Sequence, residues 1–350
     1  MVSQRGAALI GAALTIPLLV SACTDPDAAS GAQSTAEADA WDPPEGLEGE
    51  VTLYSVNPQG LTDELIDVFE DRTGVSVEKF SGQTGDVTAR LDAEWDNPQA
   101  DIVYLASWAP AGDYAEEGLL EPYAPDGAQE AHAGWSDPED RFAGRDGSAL
   151  SLVVNTDTAP ADPADWADLA APEWADQVVM PDPRESGTAR DLITAMVLDL
   201  GEEETWELFD TLFDNGLEVR GANGPALDSV LAGSYAAVMG GVDYSAYSAR
   251  EDGEPVEVIL PTSGTTVTPR PLMLTRDGAN PEAAEALADF MFSEEGQAIT
   301  AAHYMIPARE DAEVAADTRE YSDVQQLDFS WDEVADSGAD VLAEFEDRYL

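Results

Sequence analysis

"EVTLYSVNPQGLTDELIDVFEDRTGVSVEKF", Glu50–Phe80, contains one full cycle of the unit that decides the fold. Its first seven residues alternate apolar and polar, the period of a strand with one covered face. After the loop "NPQG", Leu61, Leu65, Val68 and Phe69 recur at helical spacing. Thr62 reads as the N-cap of that helix and Gly74 as its stop, because glycine takes the left-handed conformation at a helix end without steric cost. "VSVEKF" is again a short strand. Strand, helix and strand in succession pair the strands in parallel through a right-handed crossover, so the fold class is α/β.

The pattern continues outward through the loop "SGQTGD", a helix over about 87–94 and a third strand, "ADIVYLA". In parallel sheets ligands bind beyond the carboxyl ends of the strands. Those ends are Ser55 to Asn57, Ser81 and Gly82 to Thr84, and Ser107 to Trp108, which makes these residues candidates for a binding site. "SALSLVVNTD", Ser148–Asp157, is a strand crossing into a second lobe, as expected for a 350-residue chain that exceeds one core. The strand "YAAVMGGVDY" belongs to that second lobe, and "PVEVILP" and "VTPRPLMLT" read as strands returning to the first. Asn280 and Pro281 start a further helix, and the tail ends in a helix with Val341, Leu342 and Phe345 inward.

Composition narrows the function. The chain carries 72 Asp and Glu against 15 Lys and Arg, a formal net charge of −57, with Lys79 the only lysine. That field repels nucleic acid and anionic membrane surfaces, and it suits a solvated surface adapted to salty surroundings. One cysteine and two histidines, His132 and His303, leave no disulfide framework, cysteine cluster or histidine-rich metal centre. Near the start, Arg5 precedes the apolar run "AALIGAALTIPLLVSA", an export segment too short to span a bilayer convincingly. It ends in "VSAC", where the small residues before Cys23 resemble a bacterial lipobox and mark that cysteine for acylation. From Thr24 to Gly49 there are seven acids and no base, a solvated tether.

The second lobe offers its own site. In "MPDPRESGTARDLITAMVLDL", Met180–Leu200, the residues Leu192, Ile193, Met196, Val197 and Leu200 form one helix face. Ser186 stands at its N-cap with Gly187 and Thr188 in the first turn, so unpaired N–H groups and a partial positive charge face outward there. Such a terminus suits a phosphate, phosphonate or carboxylate, and Gly187 allows close approach to the backbone. Asn223, Asp243 and Tyr244 are further candidates, as an amide donor, a carboxylate acceptor and a stacking ring. Arg184 and Arg270 are candidate cations, each expected in a surface ion pair with the abundant acids, and Thr265 and Thr266 lie at a hinge turn.

Three stretches in order, "DELIDVFEDRTGVSVEKFSGQTGDVTARLDAE", "DWADLAAPEWADQVVMPDPRESGTA" and "NPEAAEALADFMFSEEGQAI", resemble the extracellular solute-binding proteins of ABC importers. The similar branch is the ferric-iron-binding type, which also holds phosphonate, thiamine and sugar-phosphate binders. The resemblance implies the two-lobed periplasmic-binding-protein type II fold, each lobe a mostly parallel sheet flanked by helices, with ligand in the cleft between them. It also implies docking on an ABC permease whose ATPase partner drives uptake. The expected organisation is a signal peptide at 1–22, a lipidated acidic linker at 23–49, a first lobe from 50–150 plus 256–310, a second lobe at 151–255 and a helical tail at 311–350. In this branch the segment matching Ser186 and Gly187 contacts an anion. The ferric members carry Asn-x-Tyr-Tyr where this chain reads Asp243, Tyr244, Ser245, Ala246, Tyr247, so the adjacent tyrosine pair is absent. Ferric iron favours several hard anionic oxygens, and "SVNPQG" stands where some iron binders place a histidine. The expectation is a monomeric, lipid-anchored, exported binding protein for a small anionic organic solute, with no catalysis, no resident cofactor and no nucleic-acid partner. Ferric iron with a synergistic anion, held by Tyr244 and Tyr247, is the alternative, with Fe3+ as transported ligand. A secreted glycosidase is the remote one, since paired carboxylates arise everywhere by chance among 72 acids.

Overall fold

The computed structural model describes residues 39–350; Cys23, the export segment and most of the acidic linker lie outside the described residues. Strand β1 (Glu50–Ser55) buries Val51 and Leu53, and helix α1 (Gln59–Thr73) lays Leu61, Leu65 and Phe69 against them. Gly74 closes α1 with φ 75°, the left-handed stop expected of it. Thr62 is not the N-cap. The helix begins three residues earlier behind Pro58, and the Thr62 hydroxyl lies inside it, donating back to the Pro58 carbonyl at 3.1 Å. Then follow β2 (Ser76–Ser81), α2 (Thr84–Glu94), β3 (Ile102–Tyr104), α3 (Ala109–Glu116) and the short β4 (Leu120–Glu121). β1 pairs in parallel with β2 on one side and β3 on the other, as the alternation of elements requires.

The long strand β5 (Ala143–Asn155) is buried along its whole length and joins two sheets. Its first half pairs with β10 (Val267–Thr275) and extends the β2-β1-β3 sheet. Its second half pairs with β8 (Ala237–Val242), which runs parallel to β6 (Val178–Met180), itself parallel to β7 (Glu218–Val219). Read from sequence, β5 opens at Ser148; it opens five residues earlier because Arg145 and Asp146, which look like turn residues, are buried as an ion pair. Arg145 also donates to the carbonyls of Met291 and Gly296, and Tyr104 donates to Asp146, which offsets the cost of burying the pair, although Asp146 Oδ1 keeps no hydrogen-bond partner.

Helices cover both faces of each sheet. α4 (Gly187–Leu200), α5 (Glu202–Asp214), α6 (Asn223–Leu231) and α7 (Asp243–Glu251) belong to the second sheet. "VDY" therefore does not finish a strand: β8 ends at Val242, and Asp243 and Tyr244 open α7. The strand β9 (Val256–Ile259) pairs with β5 at Leu152–Asn155 and so lies in the second sheet rather than the first. Its hydrophobic pattern is the same in either place; only the partner strand decides. α8 (Pro281–Phe292) and α9 (Glu294–Ala302) pack on the first sheet, and β11 (Ile306–Pro307) pairs with the first half of β5. The tail ends in α10 (Trp331–Tyr349), which buries Val341 and Phe345 and leaves Leu342 half-buried, packing on both α3 and α4. No helix among the described residues is long and apolar enough to cross a membrane.

Candidate functional site

Between the two sheets lies a cavity of about 310 Å³, lined in part by Asn57, Thr84, Gly187, Asn223, Tyr244 and Arg270. Five helices begin on its wall: α1 behind Pro58, α2 at Thr84, α4 at Gly187, α6 at Asn223 and α7 with Tyr244 and Ser245. Topology causes the convergence, because each parallel strand runs into its following helix at the same sheet edge. Every helix start presents N–H groups with no intrahelical acceptor and roughly half a positive charge.

At α4 the Ser186 hydroxyl accepts from the Ala189 amide at 3.2 Å and donates to Asn223 Oδ1 at 2.9 Å. Asn223 in turn donates from Nδ2 to the Thr188 hydroxyl at 3.1 Å. Ser186, Thr188 and Asn223 thus clasp one another and hold the starts of α4 and α6 side by side. The amides of Gly187 and Thr188 have no acceptor within the helix, and both residues line the cavity. The Asn223 amide, read from sequence as a ligand donor, is engaged in this internal bracing, and Asn223 and Gly224 both line the cavity.

Arg270 rises from β10 on the opposite side, 2 % exposed. It donates to Asn57 Oδ1 at 2.7 Å and to the Ser148 hydroxyl at 3.3 Å, while its Nε has no partner. Asp146 stands 4.0 Å from that Nε but is engaged by Arg145. Burial works against the Arg270 charge, yet Tyr244 and Asp146 more than offset this and hold its pKa above the ordinary arginine value. Arg270 therefore does not take the surface ion pair expected of it. A charged residue inside the apolar strand "VTPRPLMLT" has to be paired or to line a site, which was its one signal in the sequence. Arg184 does behave as expected, paired with Asp182 at 2.5 Å on an exposed side chain.

The remaining candidates divide. Asn57, Thr84, Ser186, Gly187, Thr188, Asn223 and Tyr244 line the cavity. Ser55 is fully buried and bonds Thr62 Oγ1 and the Asn57 amide, bracing the β1 end. Ser81 is exposed at the end of β2, and Gly82 packs on Asp86; neither reaches the wall. Trp108 is a core residue against Phe142, 4.8 Å between ring centroids. Ser107 is buried and turns to Asp191. Asp243 is the clearest correction: its carboxylate is fully buried and paired with Arg319 at 2.5 Å, outside the cavity lining. Burial raises its pKa, opposed by Arg319. Tyr244 does reach the cavity, but its ring lies 4.9 Å from the Arg270 guanidinium, which occupies a face read as free for ligand stacking. Tyr247 packs among Arg250 and Arg319 and does not line the cavity. Gln83, Glu185 and Ser245 also line the wall and carried no sequence signal beyond their neighbours.

Residues 97–336 match the sequence profile of the family described as bacterial extracellular solute-binding protein. An uncharacterised protein of Haemophilus influenzae is 25 % identical over 261 residues, 71 % of this chain and 75 % of that one. Among solved structures, the periplasmic binding protein AfuA of Actinobacillus pleuropneumoniae, with exogenous fructose-6-phosphate bound, superposes with a TM-score of 0.78 at 22 % identity, covering 86 % of this chain and 98 % of that one. Iron-bound HitA from Pseudomonas aeruginosa superposes with a TM-score of 0.76 at 19 % identity, covering 84 % and 98 %.

Proposed function

The chain belongs to the bacterial extracellular solute-binding protein family, the substrate-binding components of ABC importers that work with a permease and its ATPase, and from that premise we propose that its cleft captures a small anionic organic solute. The observation that carries this reading is the convergence of five helix starts and a buried arginine on one cavity, in a chain whose net charge is −57. Glu185 is the one carboxylate among the lining residues. A desolvated helix start acts at contact range, whereas the distant surface acids are screened, with a Debye length of about 3 Å at molar salt. The ligand's anionic group sits at Gly187, Thr188 and Gly224 with Arg270 opposite, and its hydroxyls meet Gln83, Thr84 and Glu185. A phosphate or phosphonate monoester of about sugar size suits both the charge and the volume.

Calorimetric titration in molar salt tests this with fructose 6-phosphate, a phosphonate and inorganic phosphate set against uncharged fructose and ferric citrate. Binding of a phosphorylated compound, with fructose silent, is the expected result. A ligand at 100 times its Kd should stabilise the fold by about 2.7 kcal/mol. Binding of fructose alone, or a charge-transfer band with iron, overturns the reading.

Ferric iron is the second reading, favoured by the presence of Tyr244 on the wall. Its donor set is poor. Tyr247 is turned away, and Tyr244 lies against a cation that opposes a bound metal. The proposal includes no catalysis, and hydrolysis of any member of a glycoside panel overturns that part of it. We take the lobes as 50–149 with 267–310, and 150–259, moved from the sequence limits by the pairing of β9. A lipid anchor at Cys23 is part of the proposal, and Cys23→Ser should release the protein from membranes; retention contradicts the anchor. Sedimentation at one mass checks the expected monomer.

A further inference from the structure

One contact joins the two walls of the cavity beside the site. Ser107, at the end of β3 in the first sheet, donates from Oγ to both carboxylate oxygens of Asp191 on α4 at 3.2 Å. Arg190 reaches the same hydroxyl from NH2 at 3.5 Å. One turn before Asp191, the backbone of Gly187 passes so close to Ser107 that a Cβ there would lie 2.8 Å from the Ser107 Cβ and 3.6 Å from Thr84 Oγ1. The glycine is thus required by the approach of the two walls as well as by any ligand. Ser107 and Asp191 are 0 % and 1 % exposed, and α10 packs across both α3 and α4, with Gly338 against Thr194.

We propose that Ser107 and Asp191 are positioning residues, an interlobe latch that holds the anion-binding start of α4 against the first lobe in the closed cleft and releases when the cleft opens. The latch rests on the reading of the cavity as the ligand site. Its chemistry makes closure depend on pH. Burial pushes the Asp191 carboxyl up to about 7, against the pull of Arg190 and the Ser107 hydrogen bond. Arg190 is the charged group that faces it. The acids of α3 (Asp113, Glu116), α5 (Glu202, Glu203, Glu204, Glu207, Asp210, Asp214) and α10 (Asp332, Glu333, Asp336, Asp340, Glu344, Glu346, Asp347) are exposed to solvent, Arg348 of α10 pairs with Glu344, Arg145 and Asp146 of β5 pair with each other, and β8 carries no charged residue. Once the cleft opens and water reaches Asp191, its pKa returns towards about 4. Between those values the closed form holds a proton that the open form lacks. Falling pH therefore favours closure, and rising pH weakens it until the dependence flattens above about 7. The closed-to-open ratio should fall about tenfold from pH 6 to pH 8.

Small-angle scattering of the full ligand-free chain in molar KCl reads the outcome directly, with thermal melts confirming that each variant folds. The wild type should contract as pH falls from 8 to 6. Asp191→Asn, which keeps the shape and loses the proton, should show the same dimensions at both pH values. Ser107→Ala, which removes the carboxylate's hydrogen-bond donor, should be more open than wild type at pH 8. A wild type whose dimensions ignore pH, or an Asp191→Asn variant that follows pH as the wild type does, overturns the latch. Calorimetry with fructose 6-phosphate at both pH values separates the two readings: pH-dependent closure without binding of any anion leaves the latch standing and retires the ligand class.

Discussion

Arg270 concentrates the chemistry of the site in one side chain. It is the buried cation of the cavity, it shares a hydrogen bond with Asn57, and part of its donor capacity is unused. Hydrogen bonds to charged groups contribute about 1.5–3 kcal/mol. Arg270→Gln should therefore weaken anion binding by roughly ten- to a hundredfold in calorimetry, with little change in affinity for any neutral compound that binds. An unchanged affinity would move the anion away from β10. Gly187 makes the complementary prediction. Gly187→Ala puts a methyl group 2.8 Å from Ser107 Cβ, so the variant should fold normally yet scatter as an open molecule at every pH. Both residues were visible in the sequence, Gly187 as a cavity-lining position but without the Ser107 contact that crowds it. Arg270 was expected among surface acids, because a sequence does not show which residues a strand's neighbours bury.

Helices α4 and α10 show how far an element's own pattern carries. The start of α4 follows from local chemistry: a serine whose hydroxyl accepts the Ala189 amide, followed by glycine and an apolar face. Ser186→Ala should lose about 1 kcal/mol of stability in urea titration from the lost cap. It should lose ligand affinity too, because the same hydroxyl clasps Asn223. A loss of stability with full affinity would show that the clasp does not shape the site. The amphipathic face of α10 was equally legible, but its partners were not. Phe345 meets Phe209 at 5.6 Å between ring centroids in an edge-on contact, and Trp331 lies 6.3 Å from Trp108, so one helix spans both lobes. Phe345→Ala should cost about 3–5 kcal/mol in the same titration. The end of β8 marks the opposite limit. "GGVDY" reads as strand throughout, yet Asp243 opens α7, where its carboxylate accepts from the Tyr244 amide at 2.8 Å and meets Arg319 from the distant tail.

At the scale of the molecule the charge of −57 is a property of the surface, and the cavity is its exception. Self-repulsion of that surface weakens as salt shortens the Debye length from about 10 Å at 0.1 M to about 3 Å at 1 M. The melting temperature should therefore rise steeply over that range, and a flat profile would show that the acids are already compensated in pairs. The sequence by itself determined the α/β class, the strand–helix alternation of residues 50–104, the two-lobed plan and the start of α4 at Ser186, because periodicity, caps and strand–helix alternation are local in the chain. Only the tertiary structure decided that β9 joins the second sheet, that Asp243 is spent on Arg319, that Ser107 meets Asp191 rather than ligand, and that five helix starts and Arg270 enclose one space. Those outcomes depend on which distant residues share a boundary, and burial, pairing and charge are properties of that boundary rather than of any stretch of chain.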